Sequence, residues 1–178
     1  KISADTLASQ EESLYKSLCI TLGVDDSGSM TVASIPAVDL SRLDGLDLEK
    51  DTQTAVDSNP DVISARTSSS VGSTAVQNKA REENSLSEQV RQKMKELYEA
   101  VQQANTSYNS TKAGYSSAEI TWNNAQSKNS MGMLSKADYL QAEADYLQKK
   151  SAYEAADLSL LQALENYYWA VRGIVELD

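Results

Sequence analysis

The stretch SMGMLSKADYLQAEADYLQKKSAYEAADLSLLQALENYYWAV, residues 130–171, decides the fold. It contains no proline and a single glycine, and tyrosine recurs at positions 139, 146, 153 and 167. A spacing of seven residues is typical of helices that pack against one another along a heptad seam. Small residues alternate with these large ones at steps of three and four, so large side chains can seat over alanines of a partner helix. The stretch predicts one long packed helix over residues 136–174.

A second stripe of the same kind lies upstream, between residues 86 and 125, and is interrupted only at Thr111. Because Gly132 separates the two stripes, we expect an antiparallel helical hairpin that turns at residues 129–135. Trp122 and Tyr139 should then face each other near the turn. The predicted packing seam comprises Tyr108, Tyr115, Trp122, Tyr139, Tyr146, Tyr153, Leu160 and Tyr167.

The second long helix also carries apolar residues beside its seam. These are Leu140, Ala144, Leu147, Leu158 and Leu161. A two-helix seam does not need this additional apolar face, so we expect the helix to pack on two neighbours.

The flanking sequence predicts shorter helices and a loop. Residues 1–22 have helical spacing and end at Gly23, and the lack of a cap before Lys1 suggests that the chain begins partway along this helix. Residues 23–58 are predicted to contain an irregular loop, with an extended piece at 31–35, and then a short helix that begins at Asp47 and ends near Asn59. Asn59 is a good N-cap for a helix over 59–128, whose weak point is 67–73. The predicted fold class is therefore all-α, with residues 1–178 forming one unit.

Composition excludes several classes of function. The net charge is −10 and the basic residues are interleaved with acids, which argues against nucleic-acid binding. There is no histidine, and the single Cys19 allows neither an internal disulfide nor a multi-cysteine metal site. No apolar run approaches the roughly 18–20 residues of a membrane span. We find no nucleophile–base pair or phosphate loop, so the sequence predicts neither enzymatic activity nor a cofactor.

Acidic residues crowd the loop, and carboxylates of this kind are the ligands of calcium sites. The EF-hand pattern, with its glycine and terminal glutamate, is absent, so we interpret the cluster as a solvated acidic loop. Its members are Asp25, Asp26, Asp39, Asp44 and Asp47.

Three motifs in order resemble the outer-membrane efflux protein family, the TolC-like exit ducts of tripartite export systems. A helix ends in LCITLGV at residues 18–24 and precedes a long loop. The next helix opens with Asn59, Pro60, Asp61, Ala65 and Arg66, and the hairpin tip carries Gly132, Ser135, Asp138, Leu140 and Ala142. The resemblance covers nearly the whole chain, which corresponds to the second of the family's two repeats.

The resemblance implies a duct of long helices, usually built from three chains, in the cell envelope and associated with the outer membrane. It implies a periplasmic adaptor (membrane fusion) protein docked on the hairpin tip and an inner-membrane transporter beyond it. The implied partner-binding residues are Met131, Gly132, Met133, Leu134, Ser135 and Asp138. Alternatively, the methionines and Leu134 fold back onto the hairpin, and Asp138 only favours the start of its helix.

The sequence departs from the family between residues 66 and 85. The family inserts two membrane β-strands there, whereas RTSSSVGSTAVQNKAREENS lacks the alternation and the length that such strands need. We therefore expect this chain to lack the family's barrel strands. A second interpretation is a structural coiled-coil interaction module, or an adaptor-like hairpin, with no conduit role. An adaptor would flank its hairpin with β-rich segments, and this chain flanks it with predicted helices.

Overall fold

The computed structural model describes residues 2–24, 33, 36–175 and 177. These residues form helices and connections without a β-strand, which confirms the all-α prediction. The chain divides into two compact units, Lys1–Pro36 and Ala37–Asp178, instead of the single unit expected over residues 1–178. The helices are α1 (Ile2–Leu22), α2 (Ser41–Asp44), α3 (Leu48–Ser58), α4 (Pro60–Thr67), α5 (Ser73–Ser130) and α6 (Lys136–Val171).

In the first unit, α1 ends at the predicted glycine. Gly23 has φ +65°, and the N–H of Val24 donates to the carbonyl of Cys19 at 3.0 Å, which closes the helix. Leu7 and Leu14 are exposed on this helix. The extended piece predicted at 31–35 lies, apart from residue 33, outside the described residues.

The second unit is built on a long hairpin of α5 and α6. Their 58 and 36 residues correspond to helices of about 87 and 54 Å. The ring pairs Tyr108–Tyr153, Tyr115–Tyr146 and Trp122–Tyr139 step seven residues up α5 and seven down α6, so the two helices run antiparallel. The predicted hairpin is confirmed.

The base of the hairpin is thickened by α3 and α4, which pack on α5, and α3 also contacts α6. Full burial of a branched or aromatic side chain contributes roughly 1.5–3 kcal/mol, so most of the stability is concentrated at this end. Towards the tip, the second unit consists of α5 and α6 alone. The buried base residues include Val56, Val62, Val90, Met94, Val101, Leu160, Leu164 and Tyr167.

The predicted helix over 59–128 is corrected by the structure, which divides it into α4 and α5. The break spans residues 68–72, where three serines have low helix propensity and Gly72 adopts φ +93°. Arg66 then bonds to Glu83 of α5 at 2.8 Å, and Lys79 donates to the carbonyl of Ser68 at 2.6 Å. These contacts hold α4 against the beginning of α5.

The predicted end of the second long helix at residue 174 is also corrected, because α6 ends at Val171. Gly173 has φ +86°, which a helix cannot accommodate. A Cβ atom at this position would collide with the carbonyl oxygen of Ser58, so the chain here passes directly against the end of α3.

Candidate functional site

The upper seam of the hairpin is a continuous row of six aromatic rings contributed alternately by α5 and α6. Neighbouring ring centroids are 5.0–5.9 Å apart, within the range of favourable aromatic pairs. Because seven residues make two helical turns, each helix contributes one aromatic ring to the seam for every two of its turns. In order from the middle of the hairpin to the tip, the row is Tyr108, Tyr153, Tyr115, Tyr146, Trp122 and Tyr139.

The tyrosine hydroxyls of this row are paired across the seam. The oxygens of Tyr108 and Tyr153 are 3.4 Å apart, as are those of Tyr115 and Tyr146. The hydrogen bond with Tyr146, together with burial and the nearby Glu119, raises the pKa of Tyr115 to about 12. The hydrogen bond with Tyr108 and burial raise the pKa of Tyr153. The neutral hydroxyls are therefore part of the packing.

The two remaining seam residues, Leu160 and Tyr167, belong to the buried base. The Tyr167 hydroxyl donates to Oδ2 of Asp51 at 2.9 Å. Burial, and then this carboxylate, raise the pKa of Tyr167 well above its ordinary value. Tyr167 therefore joins α6 to α3 and has a structural role.

The hairpin tip turns over residues 131–135. Gly132 has φ +68°, and the N–H of Met133 donates to the carbonyl of Lys128 at 2.9 Å, which ends α5 in a Schellman-like turn. The hydroxyl of Ser135 accepts a hydrogen bond from the Asp138 N–H at 3.1 Å and so caps α6. The turn is short and is fixed by backbone hydrogen bonds.

The tip presents two methionines to solvent. Met131 is 60% exposed and Met133 is 73% exposed, while Leu134 is half-buried. The methionines therefore do not fold back onto the hairpin, as the alternative interpretation required. Flexible thioether side chains at the end of a long hairpin are suited to contact with an apolar partner surface.

Asp138 has a local partner. Its carboxylate accepts a hydrogen bond from the Ser135 hydroxyl at 2.7 Å, which completes a reciprocal cap at the beginning of α6. Both side chains are nevertheless exposed at the tip.

The acidic loop is only partly described, since Asp25 and Asp26 lie outside the described residues. Asp39 accepts hydrogen bonds from the N–H and hydroxyl of Ser41, and Asp47 caps α3 through the N–H of Lys50. Within the part of the chain that the structure describes, no group of three or more acidic or cysteine side chains is positioned to hold a metal ion.

The second apolar face of α6 is divided into a covered and an uncovered part. Near the base, Leu161 packs on the core, and the neighbouring Tyr168 lies under the guanidinium of Arg42, 4.5 Å from the ring centroid. Towards the tip, Leu140, Leu147 and Leu158 are 50%, 54% and 44% exposed. Sequence periodicity located this face, but the contribution of Arg42 depends on a contact across more than 120 residues that has no local signal.

Comparisons with family models, curated proteins and solved structures find no match to this chain. Among the helices that the structure describes, none combines the length and the apolar character needed to cross a membrane.

Proposed function

We propose that this chain is a non-catalytic, TolC-like component of an export or efflux assembly in the cell envelope. In this role the hairpin forms part of the wall of a helical duct, and its tip docks a periplasmic adaptor that links it to an inner-membrane transporter. Neither nucleic acid nor a cofactor takes part. The proposal rests on the resemblance of the motifs and on one structural observation, the exposed methionine tip at the end of a long hairpin.

Two features of the hairpin support this role. Within the second unit, its upper part is a two-helix layer, which suits a wall element more than a globular domain. The uncovered leucines of α6 provide an apolar face on which a neighbouring helix, including one from another chain of a trimer, would pack.

A test of this proposal replaces both tip methionines with aspartate, M131D/M133D, in cells that depend on the chain. We expect a panel of dyes and toxic compounds to accumulate as it does when the chain is deleted, because charged side chains at the tip would disrupt an apolar contact. The matched control is Ile120→Asp, an exposed apolar position on the hairpin but away from the turn, with 64% exposure. This variant should retain export.

If deletion of the chain changes no accumulation in the panel, the conduit role is contradicted. The coiled-coil interaction module would then be the better interpretation of the same hairpin.

A further inference from the structure

The uncovered part of α6 forms a regular line on the helix surface, which we term the open stripe. Its positions follow one another at steps of four and three residues, the spacing of a second heptad seam beside the tyrosine seam. All of them are exposed. The open stripe consists of Leu140, Ala144, Leu147, Ser151, Glu154 and Leu158.

The open stripe continues an interface that already exists within the chain. Its next positions towards the base are Leu161, Glu165 and Tyr168, and these are partly buried. Nη1 of Arg42 lies 2.6 Å from Oε1 of Glu165, and the Tyr168 hydroxyl donates to the Arg42 carbonyl at 3.1 Å. Leu43 packs on the same core. Arg42 and Leu43 pack on α6 only near the base. Along the open stripe, a further helix would be needed to continue this packing.

A row of charges identifies what kind of helix fits. Lys136, Glu143, Lys150 and Asp157 follow one another at seven-residue steps between the open stripe and the tyrosine seam, and their signs alternate. Within the described part of the chain, Lys136, Glu143 and Asp157 make no ion pair, and the ion pair of Lys150 is with Glu154 of the same helix, at 3.8 Å. In paired helices, charges that flank an apolar seam determine the choice and the direction of the partner.

A second copy of the same helix satisfies this row when it runs antiparallel. In an antiparallel pair the same flank of each helix meets, so Lys136 faces the partner copy's Asp157 and Glu143 faces the partner copy's Lys150. The two-fold symmetry repeats both pairs. In a parallel pair the row would face the opposite flank, which at the corresponding positions 141, 148 and 155 carries Gln, Gln and Ala.

From this continuity and this charge pattern, we infer that two copies of the chain form an antiparallel, two-fold symmetric pair along the open stripe, centred near residue 146. In this register Ala144 lies level with the partner copy's Leu147, and Leu140 with its Ser151. Leu158 lies level with the partner copy's tip turn, where Met133 is exposed. Residue 160 of one copy lies level with residue 131 of the other, so the thick bases do not overlap.

The pair does not depend on the proposed function. It covers the tip and the lateral face that a duct would use, so pairing and adaptor docking exclude each other. A chain that assembles into a duct would first have to separate from its copy.

Light scattering and sedimentation of the purified chain over a range of concentrations test the pair. We expect a dimer that Glu143→Lys weakens at least tenfold in Kd, because it places lysine against lysine twice across the interface. The double variant E143K/K150E exchanges both members of the pair and should restore the dimer. The control Asp145→Lys makes the same change of charge on the side of α6 away from the open stripe and should not alter Kd.

The direction of the pair is measured with spin labels at Ser159→Cys in a Cys19→Ala background, after circular dichroism has verified the fold. Antiparallel pairing separates the two labels by about 40 Å along the axis, from the 1.5 Å rise per residue. A parallel pair in register would place them within about 25 Å, given helix axes about 10 Å apart. A monomer at all concentrations, a dimer indifferent to Glu143→Lys, or the short distance would overturn the inference.

Discussion

The buried side chain of Asn59 joins the beginning of α4 to the end of α6. Its Nδ2 donates to the carbonyl oxygen of Gly173 at 3.2 Å, while its Oδ1 accepts from the N–H groups of Asp61 and Val62, each at 3.1 Å. One amide thus satisfies two donors of a helix N-terminus and an acceptor 114 residues away. This contact closes the base from which the hairpin extends.

Replacing Asn59 by alanine should destabilise the second unit by about 2–3 kcal/mol, because a cap and a buried acceptor both lose their partner. Urea unfolding followed by circular dichroism measures the change. Asn123→Ala, at an exposed position of α5, is the matched control and should change the free energy of unfolding by less than about 0.5 kcal/mol. Equal effects of the two substitutions would show that Asn59 is not the link.

Gly173→Ala tests the close approach of the two backbones. The added Cβ would meet the carbonyl of Ser58 and occupy a left-handed conformation, so we expect a loss of about 3 kcal/mol or more in the free energy of unfolding. The control is Gly132→Ala, which has a similar φ but no neighbouring atom within 4 Å. It should cost about 1 kcal/mol. Thermal melting of both variants measures the two losses. Their difference gives the cost of the clash with Ser58, since the cost of the positive φ is common to both.

Tyr115→Ala should weaken the upper seam by about 2 kcal/mol, since the ring stacks on Tyr153 and tilts against Tyr146. The loss should be confined to the tip half, where α5 and α6 pack on each other without a third helix among the described residues of the second unit. Amide hydrogen exchange locates it. Faster exchange at residues 105–125 and 136–155, with little change at the base, is the expected pattern, whereas uniform acceleration would contradict a separate upper seam.

The hairpin should lose stability in alkali. The pKa of Tyr115 is raised to about 12, and the pKa values of Tyr153 and Tyr167 are also raised above those of the unfolded chain. A raised folded pKa contributes stability that is complete below the unfolded value, near pH 10, and is lost as pH rises through the folded value. Absorbance at 295 nm should show tyrosines that titrate late, together with loss of helix. Simple titration of every tyrosine near pH 10 with the helix intact would contradict these contacts.

The sequence predicts the hairpin well because its information is local and periodic. Heptad spacing identifies both long helices, Trp122 faces Tyr139 as expected, and Gly132 and Ser135 mark the turn by their ordinary capping preferences. Long-range contacts leave no such signal. The passage of Gly173 against Ser58 and the cover that Arg42 forms on α6 each join residues more than 110 positions apart.

The break after α4 can be predicted from the sequence only in part. Its low-propensity serines predict a weak point, but the contact of Arg66 with Glu83 that accompanies the change of direction emerges only from packing. For the candidate site, periodicity locates the tip and the apolar face of α6, but it does not show how much of either remains exposed.

Docking of an adaptor at the tip is tested most directly by photo-crosslinking in the native cell from an unnatural amino acid at position 133. We expect a product that mass spectrometry identifies as this chain joined to the helical hairpin of an envelope adaptor, and no such product from position 120. A product made of two copies of this chain would support the antiparallel pair instead. The absence of any adaptor product from position 133, with the chain present at its normal level, would contradict docking at the tip.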